Sequence, residues 1–176
     1  MKKLLITGSS GFVGKKLVEF FSRNDKIHVF ETTRVKEKSN SRTIYLDFLY
    51  QDSIDEVFKN YNFNIIVHLG GCSSQVLCEN LQEKTYLTNV KGPIYLVKKA
   101  KKNNIDCFIN FSSNKSINPK SIYGKQKKEF ETLINELSDS KFNCISYRCG
   151  NILKSPSSFL FEWYKMYKNN LCIESS

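Results

Sequence analysis

Residues 7 to 14 read Thr7-Gly8-Ser9-Ser10-Gly11-Phe12-Val13-Gly14 and follow directly on the apolar run Leu4-Leu5-Ile6. This pattern is a strand that breaks on a glycine and re-enters as a helix. Gly8 serves the tight turn, Gly11 leaves room for a diphosphate to approach the main chain, and Gly14 lets the helix lie close to the sheet. The helix predicted over 12–22 then points its free N–H groups and positive dipole end at the anion, with Ser10, Phe12 and Val13 completing the cradle. Three glycines at offsets of three are weak evidence alone. A strand before them and an amphipathic helix after them give the motif its value.

The rest of the chain alternates in the same way. Strands are expected near 3–7, 27–33, 43–47, 64–69, 106–111 and 142–148, and helices near 12–22, 52–60, 80–102 and 121–138. The strands are nearly continuous apolar runs, as expected when both faces of a sheet are covered. Alternating βα units with right-handed crossovers predict an α/β, Rossmann-like, doubly wound parallel sheet of order 3-2-1-4-5-6. One dinucleotide-binding domain is expected over 1–154. The polar stretch 34–42 reads as a loop. Residues 155–176 read as the start of a further region, with a helix-like aromatic stretch from Phe159 to Tyr167 and a strand-like beginning at Leu171-Cys172-Ile173-Glu174.

No apolar run approaches the roughly 20 residues of a membrane span. The N-terminus runs straight into a strand, so no signal peptide and a cytoplasmic protein are expected. The net charge of +10 comes from 27 Lys and Arg against 17 Asp and Glu. It has two readings, nucleic-acid binding and a lysine-rich surface. The lysines are scattered in pairs with no long basic tract, which favours the surface and no nucleic-acid partner. The six cysteines show no C-x-x-C spacing and the chain has two histidines, so no metal site is expected. Cys107 and Cys144 fall in strand-like runs and read as reduced core thiols.

A second constellation lies at Tyr123-Gly124-Lys125-Gln126-Lys127. Tyr at i and Lys at i+4 share one side of a helix whose apolar residues Phe130, Leu133, Ile134 and Leu137 mark the buried face. An ammonium near a phenol favours the phenolate, so a lowered tyrosine pKa and general acid–base use near neutral pH are expected. Upstream, Phe108-Ile109-Asn110-Phe111 delivers Ser112-Ser113 at a strand's C-terminal end, where open α/β sheets bind ligands.

With both constellations in order, the chain resembles the extended short-chain dehydrogenase/reductase family, the sugar-nucleotide epimerases and dehydratases. The resemblance covers nearly all of 2–153. It rests on Thr7 to Gly14, Asp47-Phe48, Val67-His68-Leu69-Gly70-Gly71, Asn89-Val90-Lys91-Gly92, Phe111-Ser112-Ser113, Tyr123 to Lys127 and Arg148-Cys149-Gly150-Asn151. It implies an NAD(P)-binding domain acting on a nucleotide-linked sugar through a Ser-Tyr-Lys set. By position, Ser113 matches the catalytic serine, Tyr123 the acid/base, and Lys127 the lysine that tunes the tyrosine and holds the nicotinamide ribose. Asp47 and Phe48 match the pair lining the adenine, and Leu69, Gly70 and Gly71 the segment under the cofactor. Asn89 matches the asparagine that steadies the active site. The resemblance also implies a homodimer through the helices near 80–102 and 121–138.

The chain departs from the family pattern at several places. Gly70-Gly71 stand where alanines are usual, Gln126 replaces a serine, and Cys149 replaces a proline beside the nicotinamide. Family members also continue into a C-terminal lobe that grips the nucleotide, whose binding energy supports turnover as well as affinity. Two readings follow: an epimerase, dehydratase or reductase, and a dinucleotide-binding module without turnover. Asn114-Lys115 after Ser113 argue against the dehydratases, which often carry an acid there. Counting from Gly8, Thr32 falls where NAD-selective relatives carry an acid, with Glu31 one earlier. Arg34 falls where NADP-dependent relatives carry an arginine, so NADP is expected over NAD.

Overall fold

The computed structural model describes residues 1–153, 155 and 159–171. Its six strands are β1 (Lys2–Thr7), β2 (Ile27–Thr33), β3 (Thr43–Tyr45), β4 (Ile65–His68), β5 (Cys107–Ser113) and β6 (Asn143–Cys149). They form one sheet of order β3-β2-β1-β4-β5-β6, and every pairing is parallel. This is the expected doubly wound topology. Helices α1 (Phe12–Phe21), α2 (Gln51–Asn60), α5 (Gly92–Lys102) and α6 (Ile122–Leu137) connect the strands, and α7 (Phe159–Lys168) follows β6. The expected start of a strand at 171–174 lies, beyond Leu171, outside the described residues.

Alternation along β1 explains why the sheet needs two covers. Leu5 points to one face, while Leu4 and Ile6 point to the other, and all three are buried. On the first face Leu5, Ile66 and Phe108 pack with Ile54 and Val57 of α2, Leu96, Val97 and Ala100 of α5, and Phe130 and Ile134 of α6. These helical residues recur three or four apart, which gives each helix one apolar stripe. The second face is thinner: Leu4, Ile6 and Val67 meet Leu17, Val18 and Phe21 of α1, with Ile109 and Phe111 half-buried beside them.

The helix expected over 80–102 is not one helix. Two short helices, α3 (Gln75–Asn80) and α4 (Gln82–Tyr86), precede a π-helical turn over Leu87–Lys91, and α5 begins only at Gly92. Pro93 lies in the first turn of α5 and has no N–H to donate, so the ladder cannot run through it unchanged. Gly92 permits the break to lie close to the loop after β3, because a Cβ there would meet the backbone oxygen of Phe48.

The glycine turn behaves as the motif demands. Gly8 has φ +69°, a left-handed conformation that few side chains tolerate. A Cβ on Gly14 would meet the carbonyl oxygen of Gly8 and lie 2.7 Å from Ser9 Cα, so only glycine lets α1 sit this close to the turn. Those contacts are backbone and cannot swing aside. Gly14→Ala is therefore expected to destabilise the domain by about 1–3 kcal/mol. Urea unfolding should show a lower midpoint with an unchanged slope.

Candidate active site at the carboxyl edge of the sheet

Register lines up a row of polar residues across the sheet, at the ends of β1 and β4 and midway along β5 and β6. Thr7 pairs with His68, His68 with Asn110, and Asn110 with Ser146. Thr7 Oγ1 lies 2.8 Å from His68 Nδ1 and accepts the Gly70 N–H at 3.2 Å. His68 sits among the rings of Phe48, Phe108 and Phe130, with centroids 5.2, 5.8 and 5.5 Å away. Burial, with a smaller push from the Lys127 charge, takes its pKa down to about 3. The imidazole is neutral, and its tautomer sets which member of the Thr7–His68 pair donates.

Beside this row the glycine turn is tied to the end of β2. Gly8 N–H donates to Thr32 Oγ1 at 3.2 Å, Ser9 Oγ donates to the Thr32 carbonyl at 3.0 Å, and Thr32 N–H donates back to Ser9 Oγ at 3.0 Å. Thr32 is buried by these bonds. Ser10, Gly11 and Phe12 are exposed, and the N-terminus of α1 has neither a capping side chain nor an acid in its first turn. Its N–H groups are thus available to an anion. Arg34 is exposed just past the strand. Asp47 Oδ1 accepts the Leu49 N–H at 3.0 Å. Phe48 turns its ring inward to His68, where its Cε2 lies 2.7 Å from the position of a Cβ on Gly70. The glycine at 70, where the family resemblance anticipates alanine, thus makes room for Phe48.

Ser113, Tyr123 and Lys127 come together at the end of β5. Ser113 Oγ accepts the Lys115 N–H at 3.3 Å, which starts a tight turn over Asn114–Ser116. Tyr123 stands in the first turn of α6, which Ser121 caps by accepting the Gly124 N–H at 3.1 Å. The Lys127 ammonium lies 5.9 Å from the centre of the Tyr123 ring.

The expected lowering of the Tyr123 pKa is overturned. Burial raises it above its ordinary value, the hydrogen bond with Ser113 pulls it down by less, and the charges of Cys78, Cys72 and Cys149 add to the rise. Lys127 does not offset this, because its own pKa lies below that of the phenol and its charge is gone before Tyr123 ionises; its Nζ donates to the Phe111 carbonyl at 3.2 Å. Burial also lowers the Lys127 pKa to about 8, against the opposing pull of Glu131.

Asn89, expected to steady the site, is held by hydrogen bonds within the protein. It is 2% exposed and lies in the π-helical turn. Its Oδ1 accepts the Cys72 N–H at 2.7 Å, while Nδ2 donates to the Cys72 carbonyl at 3.1 Å and to Gln126 Oε1 at 2.8 Å. Gln126 Nε2 in turn donates to Thr85 Oγ1 at 3.1 Å. One amide pair therefore fastens the loop after β4 to α4 and α6.

The family model for the NAD dependent epimerase/dehydratase family matches residues 4–156. The chain belongs to that family. Among curated relatives of this epimerase/dehydratase domain is the capsular polysaccharide biosynthesis protein CapD of Staphylococcus aureus, 22% identical over 97% of the chain and 31% of the relative. Another is a UDP-glucose 4-epimerase of Rickettsia bellii, 24% identical over 96% of the chain and 54% of the relative. The domain thus spans from just under a third to about half of the length of these curated relatives. Among solved structures, the Bordetella bronchiseptica enzyme WbmH in complex with NAD+ superposes with a TM-score of 0.81 at 18% identity, over 97% of the chain and 64% of that structure.

Sequence reasoning missed the bracing around this site. Glu131, one turn beyond Lys127, is buried and receives Arg148 of β6 through Nη2 at 2.8 Å and Nε at 3.1 Å. Burial pushes its carboxyl up, but Arg148 and Ser116 more than reverse this and hold it below its usual range. Ser116 Oγ lies 2.7 Å from both Glu131 Oε1 and the Ser113 carbonyl, which links the ion pair to the turn that carries Ser113. The spacing Lys127–Glu131 on one helical face was the available signal. Gln126 gave none, because a glutamine reads as surface until its neighbours are known.

Two outcomes follow from these bonds. Asn89→Ala strands the Cys72 N–H and the Gln126 carbonyl, and should cost about 1–3 kcal/mol in urea unfolding. His68 is neutral when folded and protonates near its ordinary value of 6.5 when unfolded. The unfolded chain therefore binds the extra proton between pH 6.5 and about 3. Stability is complete above that window and falls as pH drops through it. In His68→Phe the part of this loss between pH 6.5 and about 5, before carboxylates titrate, should disappear from a pH series of unfolding free energies.

Proposed function

We propose that this domain binds a nicotinamide dinucleotide along the carboxyl edge of its sheet and uses Ser113, Tyr123 and Lys127 for redox chemistry on a nucleotide-linked sugar. The observation that carries the reading is the meeting of these three side chains beside an α1 N-terminus that has no capping side chain of its own. The residues present fit such a ligand. Backbone N–H groups of Ser10, Gly11, Phe12 and Val13 would hold the pyrophosphate, with Gly8 and Gly14 shaping the cradle. Asp47 and Phe48 would border the adenine, Leu69, Gly70 and Gly71 the nicotinamide side, and Tyr123 and Lys127 the adjoining ribose. When bound, the dinucleotide supplies or accepts a hydride at a sugar carbon.

The chain's own groups do the rest. Ser113 holds the substrate oxygen by a hydrogen bond, and Tyr123 passes the proton to or from that oxygen. With its pKa raised, Tyr123 rests as a neutral phenol, the form that donates a proton to a carbonyl being reduced. Lys127 keeps the developing phenolate company once its ammonium leaves the Phe111 carbonyl.

The end of β2 supports NADP over NAD. Thr32 occupies the position from which an acid would bind the ribose 2′-hydroxyl, and it carries no charge to repel a 2′-phosphate. Arg34 is exposed two residues on, within reach of one. A second reading, a dinucleotide-binding module without turnover, is favoured by the burial that opposes charge on both Tyr123 and Lys127.

Calorimetric titration with NADPH and NADH tests the first step. Tighter binding of NADPH is expected, and Arg34→Ala should remove the preference. Absence of binding by either overturns the proposal. Tyr123→Phe should retain cofactor binding while reduction of 4-keto nucleotide sugars, followed by nicotinamide absorbance, falls by about 10²-fold or more. Cofactor binding with no turnover by the unaltered chain supports the module instead.

A further inference from the structure

Three thiols lie near enough to Tyr123 to oppose its ionisation, and the redox reading above uses none of them. Cys72 lies in the loop after β4, Cys78 in α3 and Cys149 at the end of β6. Two of the three are interlocked. Cys72 Sγ donates to the Ser74 carbonyl at 3.8 Å, and the Cys78 N–H donates to the same oxygen at 3.0 Å. Cys78 Sγ returns to the Cys72 carbonyl at 3.9 Å. The Asn89 amide holds both residues, with Nδ2 3.1 Å from the Cys72 carbonyl and 3.7 Å from Cys78 Sγ. Each sulfur is thus directed back along the other residue's own loop.

We propose that Cys72 and Cys78 are a redox pair that a peroxide converts to an intramolecular disulfide beside the candidate active site. Their exposures assign the order of events. Cys72 is half-exposed and can meet a peroxide, whereas Cys78 is fully buried. The Cys72 thiolate attacks one peroxide oxygen, the O–O bond breaks, and the other oxygen leaves as water or alcohol, so that Cys72 becomes a sulfenic acid. Cys78 Sγ then attacks the sulfenic sulfur, the S–S bond forms, and the hydroxyl leaves as water with the Cys78 proton. Two thiols are oxidised by two electrons and one peroxide is reduced. A small thiol reverses the step by exchange.

Burial and the neighbouring Cys72 keep Cys78 protonated in the resting state, while the Thr85 and Asn89 side chains favour its thiolate and so assist the second step. Oxidation removes both S–H donors, from the Ser74 carbonyl that starts α3 and from the Cys72 carbonyl that Asn89 holds. The loop beneath Tyr123 thereby exchanges two weak hydrogen bonds for a covalent tie.

The other cysteines differ in kind. In the register of β5 with β6, Cys107 pairs with Asn143 and Cys144 with Phe108, so the two thiols point to opposite faces of the sheet. Burial also holds the Cys144 thiol up at about 11.

The test is a peptide map of the full chain after brief treatment with hydrogen peroxide and alkylation of the remaining thiols. Trypsin releases both cysteines in one peptide, residues 60–84, because no lysine or arginine lies between Lys59 and Lys84. That peptide should carry no alkyl group and be lighter than its reduced form by two hydrogens. Dithiothreitol should restore two alkylation sites. In Cys78→Ser, Cys72 should stop as a sulfenic acid that dimedone traps. Cys72→Ser should leave Cys78 alkylatable, and Cys107→Ser should change nothing. Two alkylated cysteines after treatment, a crosslink between two chains, or Cys78 oxidised as fast in Cys72→Ser as in the unaltered chain would each overturn the proposal. The map reads sulfur chemistry alone, so it stands apart from whether the domain binds a dinucleotide.

Discussion

The bonds between Thr32 and the residues after β1 hold the candidate site open. A glycine-rich turn has little reason of its own to keep one shape, since glycine loses more freedom on folding than any other residue. Here the chain supplies that reason from β2. Gly8 gives its N–H to the Thr32 hydroxyl, and Ser9 exchanges two bonds with the Thr32 backbone. The turn is thereby fixed in register with the sheet, and α1 starts where its N–H groups face the carboxyl edge. One buried residue thus sets the shape of the turn.

Helix α6 plays the matching role on the other side. Three buried polar residues project from it: Gln126, Lys127 and Glu131. Gln126 reaches the loop after β4 through Asn89, and Glu131 reaches β6 through Arg148 and the Ser113 turn through Ser116. Lys127 lies between these two anchors, so rotation of the helix would break a bond on either flank. Buried polar groups of this kind are costly when half-satisfied and specify one arrangement when complete. Asn110 Oδ1 has no hydrogen-bond partner although the residue is 0% exposed, and it lies in the same polar row as His68. It is a place where the site's polarity is not balanced within the described residues.

Topology and the motif residues were legible in the sequence because each depended on local rules. Strand alternation at Leu4, Leu5 and Ile6 announced two covered faces, and Gly8 and Gly14 announced a turn and a close approach. The i, i+4 spacing of Tyr123 and Lys127 announced their shared side. What could not be read depended on partners distant in sequence. The break before α5 had a local signal in Pro93, but its close fit depended on Phe48 lying against Gly92, 44 residues on. The packing of Phe48 against His68 and Gly70 likewise joins residues 20 or more apart in sequence. The direction of the Tyr123 pKa was missed because spacing alone cannot say how deeply the fold buries the pair.

That last point bears on how the site can work. Burial opposes charge on both members of the pair, raising the phenol and lowering the ammonium. A phenolate beside an ammonium is therefore disfavoured in the domain as it stands, and the Lys127 proton is committed to the Phe111 carbonyl. Neither group needs to move far, since Nζ already lies 5.9 Å from the ring centre. A polar ligand seated between them would compete with Phe111 for the ammonium and replace the missing solvation of the phenolate. Under the proposed role, proton transfer at Tyr123 is then conditional on a ligand being present. On this view the bracing by Gln126 and Glu131 matters less for stability than for keeping Lys127 at a distance from which so small a displacement suffices.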